Sequence, residues 1–502
     1  MITKFFNREL IFFNMSKEKF LHKIFITCLI FITYSGELYA DDWLDLVQKY
    51  TSADKINFAP DRWEALINNS SGVENINVLA QWWSTFQDET LTYLIERAFN
   101  ENKDMQSSRA KLQEARAQLG ITMIDKAPGV NGGASYTNAR GSRNEGYGSS
   151  NTYQLGVDAS WEIDFWGKKN DNINASKADY EAEYASLHSA WVSLSAEVAT
   201  NYINLRTYQA QLEVANNNIR VQQDVLNLLQ SQYDAGLKDG LALQQAKYTL
   251  ETTRARVPAI LQATEETMNA LAILTGDVPG SLNAVLKQRN SFPNADVKRL
   301  NGIPAETIRQ RPDILAAEKN LTAQIYRKKA AEKAYYPTIS LTGSIGLESL
   351  SSGEFFEGDS VVTSFILPKI TWPIFNTGSI RKNIRVQNAK EEQLLAAYEK
   401  IVLVAVSEVR NALTANVQEE IKNRALKTAL DSARMALDIS WDKYNQGLTD
   451  FNNVLDALVS VFSIENDFAT SNGQRMINLI SLFKALGGGW QPMLENETLA
   501  KN

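Results

Sequence analysis

The chain has 502 residues, with 51 basic against 58 acidic side chains and a net charge of −7. An acidic balance of this kind argues against nucleic acid as a partner. The chain has one cysteine and two histidines, and Cys28 and His22 both fall within residues 1–40, so a chain without that segment has no Cys–His dyad, thiolate metal centre or multi-histidine zinc site to build, and no metal or cofactor is expected.

Residues 1–40 read as a secretory signal. Lys17, Lys19 and Lys23 precede the apolar run 24–32, and a polar stretch ends in Leu38-Tyr39-Ala40, so cleavage is expected after Ala40. Met15 is a candidate start. Cys28 stands inside the apolar run without the small residues of a lipidation signal, so a lipid anchor is not expected there. Cleavage removes five basic and three acidic residues, which leaves 46 against 55, net −9, and His188 as the remaining histidine. His188 has no partner motif and reads as a bland surface residue. No apolar run long enough for a membrane-spanning helix follows the signal.

Residues 41–86 read as an N-terminal arm, with Pro60 and an Asn/Ser/Gly stretch at 68–72. Leu91, Leu94, Ile95, Ala98 and Phe99 then recur at helical spacing. That helix is expected to reach Ile124 with a break near Asn100–Lys103, and Pro128-Gly129 stops it. From Tyr153 to Phe165, Tyr153, Leu155, Val157, Ala159, Trp161, Ile163 and Phe165 alternate strictly with Gln154, Gly156, Asp158, Ser160, Glu162 and Asp164. Such alternation describes a strand with one apolar and one wet face, paired with a weaker strand upstream in a hairpin over 130–166.

The long helix 168–235 comes next. Its apolar residues step by 4 and 3 from Tyr180 to Tyr233, with one extra 4 at Tyr202, which is a coiled-coil seam with a single stutter. At the helical rise it spans ~100 Å. The glycine turn "YDAGLKDG" reverses it into a return helix that stops at Gly276, and 277–302 reads as a connector.

The same plan then repeats. Asp104, Leu112 and Pro128 recur 209 residues on as Asp313, Leu321 and Pro337. Trp161, Gly167, Glu197, Tyr233 and Gly236 recur 211 residues on as Trp372, Gly378, Glu408, Tyr444 and Gly447. The first unit covers 87–276 and the second 303–490, with a hairpin at 338–375, a long helix at 380–445 and a tail at 491–502. One unit is used twice. Pro368 and Pro373 mark the last strand as bent or at an edge. "GGGW" at 487–490 lacks the Lys-Ser/Thr of a phosphate loop and reads as a helix stop.

Four strands with one apolar face leave two open edges, and in a bilayer an open edge costs several kcal/mol for each unpaired backbone group. Closure therefore needs other chains, in multiples of four strands. If the apolar face meets lipid, Asp158, Glu162 and Asp164 face the lumen, and Trp161, Phe165 and Trp372 fit an aromatic girdle.

Four segments carry a resemblance: "WWSTFQDETLTYLIERAFNENKDM", "WEIDFWGKK", "RQRPDILAAEKNLTAQIYRKKAAEKAYYPTISLTGSIG" and "YNQGLTDFNNVLDALVSV". With the duplication, they resemble the outer-membrane efflux protein family of the TolC/OprM kind, nearest the branch serving resistance-nodulation-division drug pumps. The resemblance implies a mainly α fold with a membrane β-barrel. Each tandem-repeat protomer would join a homotrimer with a twelve-stranded barrel in outer-membrane lipid and a twelve-helix tunnel across the periplasm. A periplasmic adaptor and an inner-membrane pump would be its partners, and it would act as a passive conduit with no chemistry of its own.

The resemblance also implies a periplasmic gate at Tyr444, Gly447 and Asp456, where carboxylates from several chains would form a charge ring. Asn453 stands where some members carry a second Asp. Thr449 and Ala242 replace the Arg and Asp of the TolC-type salt-bridge latch. Gly236 and Gly447 supply the reversals, and the resemblance makes these loops adaptor-docking tips. A type I secretion duct, a pore-free coiled-coil scaffold and a carboxylate hydrolase are the competing readings.

Overall fold

The computed structural model describes residues 81–140, 149–237, 239–288, 292–293, 305–356, 358–375 and 377–490. The signal with Ala40 and Cys28, most of the arm, part of the connector and the tail lie outside the described residues.

After a 3-10 turn at Trp82–Phe86, two short helices open the described part of the chain. Asp88 caps α1 (Glu89–Glu101) by accepting from Leu91 N at 3.0 Å. Asn102 then leaves helical geometry and caps α2 (Lys103–Ile124), accepting from Asp104 N and Met105 N at 2.9 and 3.0 Å. The hairpin β1 (Gly129–Arg140) and β2 (Ser149–Ile163) leads into α3 (Lys168–Asp234), whose 67 residues reverse into α4 (Gly240–Leu274). The second half follows the same order: α5 (Pro312–Glu332), β3 (Thr338–Ser349), β4 (Val361–Thr371), α6 (Thr377–Asn445) and α7 (Phe451–Ala485).

The strands form one antiparallel sheet in the order β1-β2-β3-β4, so the two repeats meet at β2–β3 and leave β1 and β4 as edges. Register partners share a face. Leu155 pairs with Leu347, Val157 with Ile345 and Trp161 with Leu341 on the apolar side. On the wet side Gln154 pairs with Glu348 and Glu162 with Ser340, and Ser340 in turn pairs with Lys369. Gly156 lies between Gly133 and Gly346 in one cross-strand row. There the backbones approach closely: a Cβ on Gly346 would lie 2.6 Å from Leu155 O and 2.8 Å from Gly156 Cα.

The alternation overruns the strand. β2 ends at Ile163, and Asp164 and Phe165 belong to the turn into α3. The carboxylate of Asp164 accepts from Lys169 N at 2.9 Å and Asn170 N at 2.8 Å. Unpaired N–H groups at a helix start attract an anion more strongly than a strand position does. Asp164 is thus a helix cap and not a member of the wet sheet face. Trp372 likewise follows the end of β4, just before Pro373, which has no N–H to extend the ladder.

The duplication extends to single hydrogen bonds. Trp161 Nε1 donates to Lys126 O at 2.9 Å, and its counterpart Trp372 donates to Tyr335 O, the counterpart of Lys126, at 3.1 Å. Each bond pins a strand end to the turn that follows the preceding short helix. At the other end of those helices, Asn102 Nδ2 donates to Leu274 O (2.9 Å), and Arg311 Nη1 donates to the equivalent Ala485 O (2.8 Å). These donors satisfy orphan carbonyls at the ends of the return helices.

Between the repeats, α5 packs along α3. Asp171–Lys333 (2.7 Å), Asp179–Arg327 and Glu181–Lys319 (2.7 Å) form ion pairs down that seam. A core of aromatics joins both ends of the described chain: Trp82 stacks on Phe483, and Trp191 meets Trp83 and Phe99 edge-on. His188 belongs here. It is 3% exposed, with Trp490 stacked on its ring at 5.3 Å and Tyr184 edge-on at 4.5 Å. The surface expectation failed because the "GGGW" stop turns back onto α3, with Trp191 Nε1 donating to Gly489 O at 2.6 Å.

The stutter coincides with a buried polar network. Tyr202 donates to Asp88 Oδ2 at 2.6 Å and accepts from Arg206 Nε and Nη2 at 3.0 and 2.9 Å. Burial, aided by the bond to Asp88, pushes the Tyr202 hydroxyl up to about 12. Between the ordinary tyrosine pKa of 10.0 and about 12, the unfolded chain loses this proton and the folded chain keeps it. Stability therefore falls as pH rises through that window. Relative to Tyr202→Phe, the wild type should lose on the order of 2 kcal/mol between those limits in denaturant titrations at stepped pH; parallel curves would refute this. In the sheet, Gly346→Ala should cost about 1–3 kcal/mol through overpacking. Gly132→Ala, where a Cβ meets nothing within 4 Å, should be near neutral in the same thermal melts.

Candidate functional site

The two helical reversals build the most organised candidate site. Gly236 and Gly447 adopt φ of 71° and 74°, in the left-handed region that glycine enters without strain. Leu237 N closes back on Gln232 O, and Leu448 N on Lys443 O, both at 2.9 Å. This geometry turns each following leucine outward: Leu237 is 73% exposed and Leu448 71%. The sequence reading singled out the glycines and missed the leucines, although "GL" stands in both turns.

Above the turns, one apolar cluster takes residues from all four long helices. Val225 and Leu229 come from α3, Leu243 and Ala246 from α4, Tyr444 from α6, and Phe451, Val454 and Leu458 from α7. Tyr444 is 6% exposed, packs edge-on to Phe451 at 5.4 Å, and donates its hydroxyl to Gln232 Oε1 of α3 at 2.9 Å. Gln232 carried no signal in the sequence, since its partner lies 212 positions away.

The other three residues expected at a constriction lie elsewhere on the same tip. Asn453 Nδ2 donates to Thr449 Oγ1 at 2.5 Å, and Asp456 stands one turn further along α7, exposed, as does Asn453. These two begin an exposed stripe that steps by 3 and 4 through Ser460, Ser463, Asp467 and Thr470 to Gln474. The stripe carries two carboxylates and no cation. Tyr444, buried within the cluster, is not part of the stripe and acts as packing. Ala242 lies against the cluster, so no ion pair forms between it and Thr449.

At the far end of the helices, Asp158 is exposed on the wet sheet face, opposite Asn131 and Ser344. Glu162 is half-buried in a cleft of about 190 Å³ that it shares with Asp125, Lys168, Lys169 and Asn172. Gln154 Nε2 donates to Glu348 Oε2 at 3.0 Å on the same face. Trp161, Phe165 and Trp372 are all exposed. Among the described residues no group of histidine, cysteine and acidic side chains forms a metal cluster.

A family model described as outer membrane efflux protein matches residues 94–277 and 303–488, one segment per repeat. The chain is 31% identical over 426 residues to the cation efflux system protein CusC of Escherichia coli, covering 85% of this chain and 91% of the relative. It is also 31% identical over 417 residues to the outer membrane protein OprJ of Pseudomonas aeruginosa, covering 82% and 86%. The solved structure of the outer-membrane channel OprN superposes with a TM-score of 0.78 at 31% identity, covering 82% of this chain and 93% of that one. The chain belongs to the outer membrane efflux protein family, a transport family, and is the outer-membrane exit channel of a tripartite efflux pump in a Gram-negative bacterium.

Proposed function

We propose that three copies of this chain close a twelve-stranded barrel in outer-membrane lipid and continue it as a helical tunnel through the periplasm. A periplasmic adaptor and a resistance-nodulation-division pump at the inner membrane would deliver drugs and other small molecules to it. The observation that carries this reading is the sheet itself, whose edge strands β1 and β4 pair with no further strand among the described residues. A lipid-embedded edge must be paired. The outer flank of α6 supports the same assembly: Leu403, Val417, Ile421, Met435 and Ile439 are exposed at coiled-coil spacing, as befits a seam for a neighbouring copy.

The periplasmic gate is assigned to the tip of α7. Asp456 from each copy forms the charge ring, with Thr449 and Asn453 beside it, while Tyr444 braces the tip from within. Leu237 and Leu448, turned outward by Gly236 and Gly447, are the contacts offered to the adaptor. Asp158 and Glu162 line the barrel lumen, and Trp161, Phe165 and Trp372 face lipid near its periplasmic rim.

Single-channel recordings of Asp456→Ala in planar bilayers test the gate. Block by divalent cations should weaken about fivefold, the equivalent of ~1 kcal/mol of lost attraction in a watery pore. Unchanged block and unchanged basal leak would remove Asp456 from the gate. A purified protein that stays monomeric in mild detergent would defeat the assembly itself.

A further inference from the structure

The helix α6 carries a cluster of cations just after its first turn. Its first turn has no acidic residue, and Arg381, Lys382 and Arg385 follow at once, all exposed. Among the described residues no carboxylate forms an ion pair with Arg381 or Arg385. Both side chains are exposed and without a counter-charge in the described protomer, so they can meet an anion outside it.

The repeat shows which way they point. In the first copy Trp161, on the apolar sheet face, donates to Lys126 O, and Lys126 Nζ donates to Asn170 Oδ1 at 2.7 Å. The Asn170 flank of α3 thus lies directly beneath the apolar face. The opposite flank, at Asn172, shares its cleft with Glu162 of the wet face. In the second copy Arg381 occupies the Asn170 position and Arg385 the Asn174 position, 211 residues on, beneath Trp372 bonded to Tyr335 O. The arginines accordingly sit on the lipid side.

Just above them runs a belt of exposed apolar groups: Ile370, Trp372, Ile374 and a fully exposed Phe375. From Thr377, Arg381 is about 6 Å and Arg385 about 12 Å along the helix. The head-group layer on one side of a bilayer is about 5–8 Å thick, and arginine side chains reach back toward it along their stems. Apolar strand, aromatic belt and cations thus follow in the order of acyl chain, interface and phosphate.

We propose that Arg381 and Arg385, with Lys126 beneath Trp161, form a cationic collar that binds the head-group phosphates of phospholipids in the periplasmic leaflet of the outer membrane, with a preference for anionic lipids. This rests on the reading that the apolar sheet face meets lipid. The collar fixes how deep the barrel sits and pins the barrel–tunnel junction to the membrane surface.

The test uses the purified full-length protein in detergent, with native mass spectrometry counting retained lipid. Wild type should retain phosphatidylglycerol over phosphatidylcholine, and sodium chloride should release it. Arg381→Gln/Arg385→Gln should lose about tenfold or more in phosphatidylglycerol affinity, as two juxtamembrane cations imply. Arg381→Lys/Arg385→Lys should keep most of it. Lys400→Gln, an exposed cation further down the same helix, should change nothing. Equal retention by wild type and the glutamine variant overturns the collar, as does salt-independent retention by wild type alone. Inorganic phosphate that competes as well as the lipid also overturns it, since the site would then not be one for lipid. If neither lipid is retained and the sheet stays soluble, the underlying lipid-facing reading has failed, which is a different result.

Discussion

A backbone amide in hydrocarbon must have a partner, and this constraint shapes the chain. Each protomer satisfies its two inner strands and leaves β1 and β4 open. The β2–β3 seam joins one repeat to the other by antiparallel pairing from Tyr153–Ser349 to Ile163–Ile339. The same kind of seam between β4 of one copy and β1 of the next closes the wall without any new invention. A strand of eleven or twelve residues left unpaired in lipid would forfeit tens of kcal/mol at several per group, far more than the marginal stability of a folded domain. On the reading that three copies close the barrel, membrane insertion of the sheet depends on assembly.

Duplication explains why the two halves share single bonds as well as an outline. Trp161 and Trp372 fasten strand ends to equivalent carbonyls, and Asn102 and Arg311 reach equivalent helix ends with different chemistry. Where the halves diverge, their surroundings differ. α3 lies between other helices of its own chain and buries a long list of residues, whereas α6 buries few within the protomer. Asp171 on α3 meets Lys333 of α5, while the equivalent residue on α6 is Lys382, which faces out of the chain. The second repeat carries the outward-looking surfaces.

Periodicity made the architecture legible before any coordinates. Alternation in β2 and the 4-3 stepping of α3 are backbone geometry written in side-chain polarity, and the 209- and 211-residue offsets give the duplication directly. The misses have a common cause. Asp164 and Phe165 continue the alternating pattern but fall past the strand, because a helix start needs a carboxylate more than the sheet does. His188 is polar by type and buried by placement, since Trp490 arrives from 302 positions away to cover it. Tyr444 lies buried in the tip, and its hydroxyl goes to Gln232, a contact that no local pattern encodes. Type and spacing report faces; they do not report which distant segment lands on a face.

The tip chemistry also bears on how such a channel opens. A salt-bridge latch is an electrostatic object, weakened by salt and by protonation of its acid. Thr449 and Ala242 cannot make one, and at the tip the two helical hairpins of this protomer meet through the cluster around Tyr444, Phe451 and Leu458 and the hydrogen bond from Tyr444 to Gln232. Apolar packing is indifferent to ionic strength and responds instead to competing apolar surface. Leu237 and Leu448 stand exposed within a turn of that cluster. On the reading that these tips form the gate, a partner helix with an apolar stripe can engage the leucines and draw the turns apart at small cost. Opening then becomes an exchange of one packed interface for another, which couples it to the arrival of the partner.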